Sequence, residues 1–408
     1  MLKAVRASVT SDTGSAFARK NEAIPTANAH VVFLTNFLPP YRSPVLRALS
    51  SQVLALKTLV CTEMEANRNW APDWRELDVY VQKSISTKIL DRHPDGFTQE
   101  IYLHVPYDTL PKLARFRPDV VISGELGART IQAVLYRIAV PSSRLIIHAD
   151  LSEHTELGRS GSRTLLRRSM VRHADAILVN GNSGARYVRS LGVPDAKVFR
   201  VPYSTDTSIY TEKKRTTEGA NVTKLLHVGQ LIERKGILKF LNNLVKWSER
   251  HSTRNLEFML VGDGPLRAAI LELKLPPNLT LKSTASVAYS AMPEIYLQAD
   301  LFVLPTLADS WGLVVNEAMA AGLPILGSRK SQAVEELVKD RETGWIFNPD
   351  EPDDVDMALE RALSAPRESL ARMGEKARQV AIGVTAQFAA ERIVQAIDYC
   401  FNPWRKVA

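Results

Sequence analysis

The sequence predicts an α/β protein built from two doubly wound, Rossmann-like domains that face one another across a cleft. Three observations carry this. Short apolar, β-branched runs alternate with helix-like runs along most of the chain, the pattern of parallel sheets covered on both faces. The strand-like runs fall into two equal sets, separated by a polar stretch from Tyr203 to Asn221 that holds Lys213, Lys214, Arg215 and Gly219. Finally, 408 residues exceed what one hydrophobic core usually organises.

The first set of strands is VVFLTN (from Val31), ALKTLVC (from Ala55), DVVIS (from Asp119), RLIIH (from Arg144), DAILVN (from Asp175) and KVFRVP (from Lys197). The second is KLLHVG (from Lys224), EFMLVG (from Glu257), LTLKS (from Leu279), LFVLPT (from Leu301), PILGS (from Pro324) and GWIFNP (from Gly344). Residues 1–29 are low in acid and rich in small residues and read as a disordered leader. Residues 30–207 form the first domain and 208–384 the second, and 385–408 a terminal helix with apolar residues at helical spacing. Ligands of such sheets bind at the carboxyl ends of strands, which directs attention to the loops facing the cleft.

Charge is unevenly spread. Residues 1–212 hold 27 Lys and Arg against 20 Asp and Glu, and the remainder 25 against 24. The densest basic segment, GRSGSRTLLRRSMVRHAD from Gly158, reads as an amphipathic helix with Leu165, Leu166, Met170 and Val171 as its apolar residues. Such a helix suits either an anionic membrane surface or a solvated domain face. Basic and aromatic residues do not interleave and no nucleic-acid module is recognisable, so a nucleic-acid partner is not expected. No run approaches the ~18 apolar residues of a membrane span. Cys61 and Cys400 form no metal or redox motif. These features point to a cytoplasmic protein, with the basic helix as a route to peripheral attachment at the inner face of a membrane.

The most informative segment is DSWGLVVNEAMAAG, from Asp309 to Gly322. An apolar strand runs into a turn and then into a helix, which places two carboxylates, Asp309 and Glu317, around free backbone amides. Acceptor-only carboxylates beside an anion cradle suit a nucleotide sugar: amides for the diphosphate, carboxylates for hydroxyls. The alternative is an ordinary buried strand–helix unit capped by Asp309 or Ser310. A second segment, HVGQLIERKG, ends a strand at Gly229 and opens a helix after Lys235, so its cations could neutralise a diphosphate. A third, LVGDGPLR, makes a sharp turn at Gly262, Asp263 and Gly264. In the first half, FLPPYRSPVLRAL puts Tyr41 and Arg42 on a rigid turn after the first strand, where Arg42 could meet an acidic or phosphate-bearing acceptor or serve only as a surface side chain. RLIIHADLSEHTELGR places His148 at a strand's carboxyl end, with His154 just beyond.

The order of these segments in the second half resembles the retaining, nucleotide-sugar-dependent glycosyltransferases of family 4, which have the GT-B fold. The resemblance implies a GT-B-like architecture and a hexosyltransferase that works with retention of anomeric configuration and without a metal. The nucleotide diphosphate sugar is then the donor substrate, no separate cofactor is needed, and a sugar or lipid-linked hydroxyl is the acceptor in polysaccharide or glycolipid biosynthesis. Carried over residue by residue, Glu317 would hold the donor ribose, Asp309 the transferred sugar, and His148 would lie near the anomeric carbon. Gly229, Gln230, Arg234, Lys235, Gly262, Asp263, Gly264, Ser310, Trp311, Gly312 and Leu313 would surround the donor, and Tyr41, Arg42 and His154 the acceptor. Two positions depart from the family pattern. Asp309 is one methylene shorter than the usual Glu, and Gln230 replaces an Arg that would clamp the phosphates, with Arg234 as a substitute. These departures keep open a non-catalytic sugar-nucleotide-binding protein of the same fold. A nicotinamide oxidoreductase is disfavoured because no G-x-G-x-x-G follows the first strand.

Overall fold

The computed structural model describes residues 27–65, 72–211, 222–285 and 287–402. Fifteen strands form two parallel sheets and one hairpin. In chain order they are β1 (Ala27–Thr35), β2 (Val53–Val60), β3 (Asp78–Val81), β4 (Ser84–Arg92), β5 (Thr98–Pro106), β6 (Val120–Gly124), β7 (Arg144–Ala149), β8 (Ala176–Val179), β9 (Val198–Arg200), β10 (Val222–Val228), β11 (Asn255–Val261), β12 (Leu279–Thr284), β13 (Leu301–Leu304), β14 (Ile325–Ser328) and β15 (Gly344–Phe347). The first sheet runs β3-β2-β1-β6-β7-β8-β9, the second β12-β11-β10-β13-β14-β15, and β4 pairs only with β5.

All twelve strands read from the sequence are present; most are apolar runs that a sheet buried on both faces accommodates, whereas β12 (LTLKST) alternates between buried and exposed at the sheet edge. Val120–Gly124, Ala176–Val179 and Leu301–Leu304 are buried at every position. The three strands not anticipated lie between β2 and the helix Thr109–Phe116. They are half-exposed or alternate with polar residues, so no continuous apolar run marks them. Of residues 1–29, expected to be a disordered leader, Ala27–Ala29 instead belong to β1, and the Ala27 amide bonds to the Gln52 carbonyl at 2.8 Å. Residues 1–26, and residues 212–221 of the polar stretch, lie outside the described residues.

Each sheet reverses strand order once. In the first the reversal falls between β1 and β6, and in the second between β10 and β13. At such a point the two connections leave in opposite directions and open a crevice beyond the strand ends. The loops there are the ones that hold the predicted residues: Phe37–Arg42 after β1, Gly229–Lys235 after β10, Pro305–Leu313 after β13.

The last helix, Ala386–Phe401, is capped by Thr385, whose Oγ1 accepts from the Phe388 amide at 3.0 Å. It returns to the first domain. Ala389, Ala390, Ile393, Val394 and Ile397 pack with Val45, Leu46 and Leu49 of helix Ser43–Ser50 and with β1 and β8. Burying each large aliphatic side chain here contributes about 1.5–3 kcal/mol, so the helix ties the two domains together. No single helix among the described residues is long and apolar enough to cross a membrane.

The basic segment forms the helix Gly161–Arg172, with a different face from the one expected. Met170 and Val171 enter the core, whereas Leu165 and Leu166 are 69% and 47% exposed. Arg167 is buried, bonded to Glu156 and Tyr187. It holds the domain together and is not part of the exposed basic face.

Candidate functional site

The second domain brings its predicted residues together at the β10/β13 crevice. The chain leaves β10 at Gly229, and the Gly262 turn after β11 lies against it. Gly262 has φ +141°, and a Cβ there would stand 1.9 Å from the Gly229 carbonyl oxygen, so only glycine permits the approach. Gln230 and Asp263 are solvent-exposed on this rim. The Asp263 carbonyl accepts from the Leu231 amide at 2.9 Å and its Oδ1 from the Gly264 amide at 2.8 Å, which locks the second turn to the first.

Glu233–Lys235 make one turn of 3-10 helix before Gly236 (φ +66°) starts the helix Ile237–Arg250. A Cβ at Gly236 would meet the Pro305 carbonyl at 2.2 Å. That close approach lays the loop after β10 directly on the loop after β13. Arg234 donates to the Ala308 carbonyl at 2.8 Å, and the Leu307 amide donates back to the Arg234 carbonyl at 2.8 Å. Lys235 Nζ bonds to Asp309 Oδ2, and Arg234 Nη1 lies 3.7 Å from the same oxygen. Burial works to raise the Asp309 carboxyl, but Lys235 and Arg234 override it and hold the group below its usual range. Asp309 is therefore ionised and its charge is shared by two cations.

The helix that follows begins only at Val314 and is seven residues long. Glu317 thus lies in its first turn, and with so short a helix the side chains of Lys235 and Arg234 outweigh its terminus as the local positive charge. Glu317 is buried, accepts from Tyr296 Oη at 2.7 Å and adjoins Tyr210. No cation offsets the burial, which pushes its carboxyl up to about 7. Two carboxylates of one loop–helix segment are thus shifted in opposite directions by their surroundings: Asp309 downward, so that it is charged, and Glu317 up to about 7.

The remaining predicted residues divide. Ser310 offers its carbonyl to Gln332 and Asn180 and so joins the two domains. The Trp311 ring is core, its Nε1 bonded to Asn316 Oδ1 at 2.8 Å, so any contact from this position to a ligand must come from its backbone. Gly312 (φ +105°) makes the turn and Leu313 packs on the core beneath.

Across the cleft, His148 ends β7 and is buried. Arg42 donates to His148 Nδ1 at 3.0 Å, to Asp150 Oδ2 at 2.8 Å and to Tyr203 Oη at 3.0 Å. Because Arg42 can only donate, Nδ1 is the unprotonated nitrogen and the proton is on Nε2, 3.1 Å from Asp150 Oδ1. Burial, reinforced by the Arg42 charge, lowers this imidazole to about 4, against the pull of Asp150. His148 is neutral at pH 7. Arg42 is itself buried and committed to this cluster, so it supports His148 and does not reach out to an acceptor. Tyr41 stacks near Tyr203, ring centroids 5.1 Å apart. His154 is half-buried beside Glu153, and burial lowers its pKa.

Sequence reasoning missed Asp150, Tyr203 and Asn180. Asp150 stands two residues past His148 at the same strand end, and Tyr203 two residues past the core residue Val201; spacing from a recognised strand end was the available signal. Among the described residues no group of three or more His, Cys, Asp or Glu is arranged to hold a metal ion.

With this geometry established, comparison with known proteins shows what the chain resembles. Residues 209–380 match the model of a family described as glycosyl transferases group 1. The chain resembles the GT-B glycosyltransferases of family 4. A sulfoquinovosyl transferase from Arabidopsis thaliana is 25% identical over 66% of this chain and 54% of its own length. One component of the phosphatidylinositol N-acetylglucosaminyltransferase of the same plant is 22% identical over 66% and 60%. An N-acetyl-alpha-D-glucosaminyl L-malate synthase from Bacillus anthracis is 25% identical over 60% and 64%. The chain thus spans just over half to just under two thirds of these relatives. Among solved structures, sucrose-phosphate synthase from Thermosynechococcus elongatus superposes with a TM-score of 0.65 at 16% identity, covering 92% of this chain and all of that one. Anabaena HepE in complex with UDP and glucose gives 0.66 at 13%, covering 91% and 100%. These likenesses establish the GT-B fold.

Proposed function

We propose that this protein transfers a sugar from a nucleotide diphosphate sugar to a hydroxyl acceptor with retention, using cationic side chains and no metal at the diphosphate. The observation that carries the reading is the convergence of Lys235, Arg234 and Asp309 at the β10/β13 crevice. Without donor, the two cations rest on Asp309. An incoming diphosphate competes for them, because it carries more charge than one carboxylate. As they move to phosphate, Asp309 is released to accept hydroxyls of the transferred sugar. The bond from the anomeric carbon to the leaving phosphate breaks, a new bond to the acceptor oxygen forms on the same face, and the acceptor proton passes to the departing diphosphate oxygen. Lys235 and Arg234 stabilise the charge growing on the leaving group. Neutral His148, held by Arg42 through Nδ1, presents an uncharged face to the reacting centre.

The relatives include a transferase named for phosphatidylinositol and one named for sulfoquinovose, which supports a glycolipid or polysaccharide acceptor. The exposed Leu165 and Leu166 beside Arg168 and Arg172 support attachment to the inner, anionic face of a membrane from a cytoplasmic position.

The test is a thermal-shift and turnover screen of the full chain against UDP-, GDP-, ADP- and TDP-sugars. Stabilisation by one nucleotide, with donor hydrolysis or transfer, is expected. No response to any nucleotide overturns the reading, and binding with no turnover for any acceptor class supports a non-catalytic binding protein instead.

A further inference from the structure

The β4–β5 hairpin belongs to neither sheet, yet two side chains at its tip, His93 and Phe97, are buried. The strands pair from Ser84↔Pro106 to Arg92↔Thr98, and Pro94-Asp95-Gly96 closes the turn, with the Gly96 amide bonded to the His93 carbonyl at 3.0 Å. The first domain grips one side of this tip. His93 Nε2 lies 2.8 Å from the His154 carbonyl oxygen, and Arg159 pairs with Asp91.

The other side reaches across the cleft into the second domain. Phe97, 2% exposed, forms a separate apolar cluster with Leu307 and Ala308, and His93 stacks on its opposite face at 4.3 Å. Asp95 Oδ2 pairs with Lys330 Nζ at 2.7 Å, and the Thr98 amide donates to Glu233 Oε2 at 3.3 Å. The tip therefore touches the loops after β10, β13 and β14, the three that surround Asp309. Ala308 is the neighbour of Asp309, and its carbonyl is the one Arg234 holds. The Lys330 carbonyl takes the Asp309 amide at 3.1 Å. The backbone leading into Asp309, from Leu307 to its own amide, is thus held by residues that the hairpin contacts.

We propose that the hairpin is an interdomain strut and that Phe97 is a positioning residue: by clamping Leu307 and Ala308 it fixes Asp309, and so confers preference for the sugar-bearing donor over the bare nucleotide. The second half of this statement rests on the transferase reading above; the first half does not. Beyond Leu304 the loop leaves its ladder and regains strand-like pairing only at the isolated bridge of Asp309 to Ser331. A loop held from outside opens when the clamp is removed. A bare nucleoside diphosphate needs only the cations and the ribose contact, whereas the sugar also needs Asp309 in place.

The experiment is hydrogen exchange and calorimetry on full-length Phe97→Ala and Phe97→Leu. In Phe97→Ala without ligand, amides of residues 306–310 should exchange at least about tenfold faster, while β10 and β13 stay protected; Phe97→Leu should restore the slow rate. Unchanged exchange over 306–310 overturns the strut. In calorimetry, Phe97→Ala should weaken binding of the nucleotide sugar about tenfold more than that of the matching nucleoside diphosphate. Equal weakening of both overturns the positioning role. If Phe97→Ala does not fold, Asp95→Asn is read by the same exchange measurement, with the same two outcomes. If the wild type binds no nucleotide, the transferase reading falls and with it the donor preference, while the exchange rates still decide the strut.

Discussion

Lys235 and Asp309, 74 positions apart in sequence, form a buried ion pair across the crevice of the second sheet. Each side chain is about nine-tenths shielded from solvent, at 13% and 11% exposure. The pair links the loops after β10 and β13 and stores the positive charge that a diphosphate would use.

Removing one partner of that pair strands the other. Asp309→Ala should lose about 3 kcal/mol of stability, the usual cost of an uncompensated buried charge, and should abolish transfer. Urea unfolding gives the first quantity and turnover the second. Lys235→Ala with full turnover would show that the diphosphate is held elsewhere.

Glu317 has a testable pH signature. Its carboxyl is raised from 4.5 to about 7 in the fold, so the folded state binds more protons than the unfolded state between those values. Its influence is therefore a loss of stability as pH rises from about 4.5 to about 7, constant beyond. Glu317→Gln removes that loss. The variant should gain up to about 3 kcal/mol relative to wild type between about pH 5 and about pH 8, while its affinity for a nucleotide sugar falls at the upper end of that range. An unchanged difference in denaturant midpoint across this range would refute the burial argument.

His148 and His227 act in the opposite sense. Burial depresses both from 6.5 to about 4; His148 is also opposed by Arg42, whereas His227 is tied through Nδ1 to the Val303 carbonyl at 3.0 Å. Each contributes stability that is fully present above about 6.5 and lost as pH falls toward about 4. With Glu317→Gln as background, stability should rise with pH over that interval, and His148→Gln should make that rise shallower. Guanidinium midpoints at closely spaced pH values measure it.

The helix Gly161–Arg172 separates packing from surface chemistry. Arg167→Ala should destabilise the first domain, because it removes the buried guanidinium that bonds both Glu156 and Tyr187 and leaves Glu156 with Arg159 alone, with no effect on lipid binding per folded molecule. Leu165→Ser with Leu166→Ser should leave stability nearly unchanged and reduce sedimentation with phosphatidylserine vesicles severalfold. Equal sedimentation of that double variant would assign the helix to a solvated face.

What the sequence determined by itself is the α/β class, twelve of the fifteen strands among the described residues, and which loops stand at the crevice of the second sheet. Continuous apolar runs such as Leu301–Leu304 specify strands buried on both faces, and glycines with acids or cations at strand ends mark the crevice. Tertiary structure alone decided which side chains meet. Lys235 with Asp309 and Arg42 with His148 and Asp150 are long-range pairs, set by the reversals in strand order that no local pattern encodes. The same holds for Arg167, whose helix is legible but whose buried face depends on Glu156 and Tyr187 arriving from elsewhere. The hairpin was illegible for a related reason. Pro94-Asp95-Gly96 marks its turn, but its strands cover no continuous core, and the residue that matters most, Phe97, is buried only because the opposite domain supplies Leu307 and Ala308.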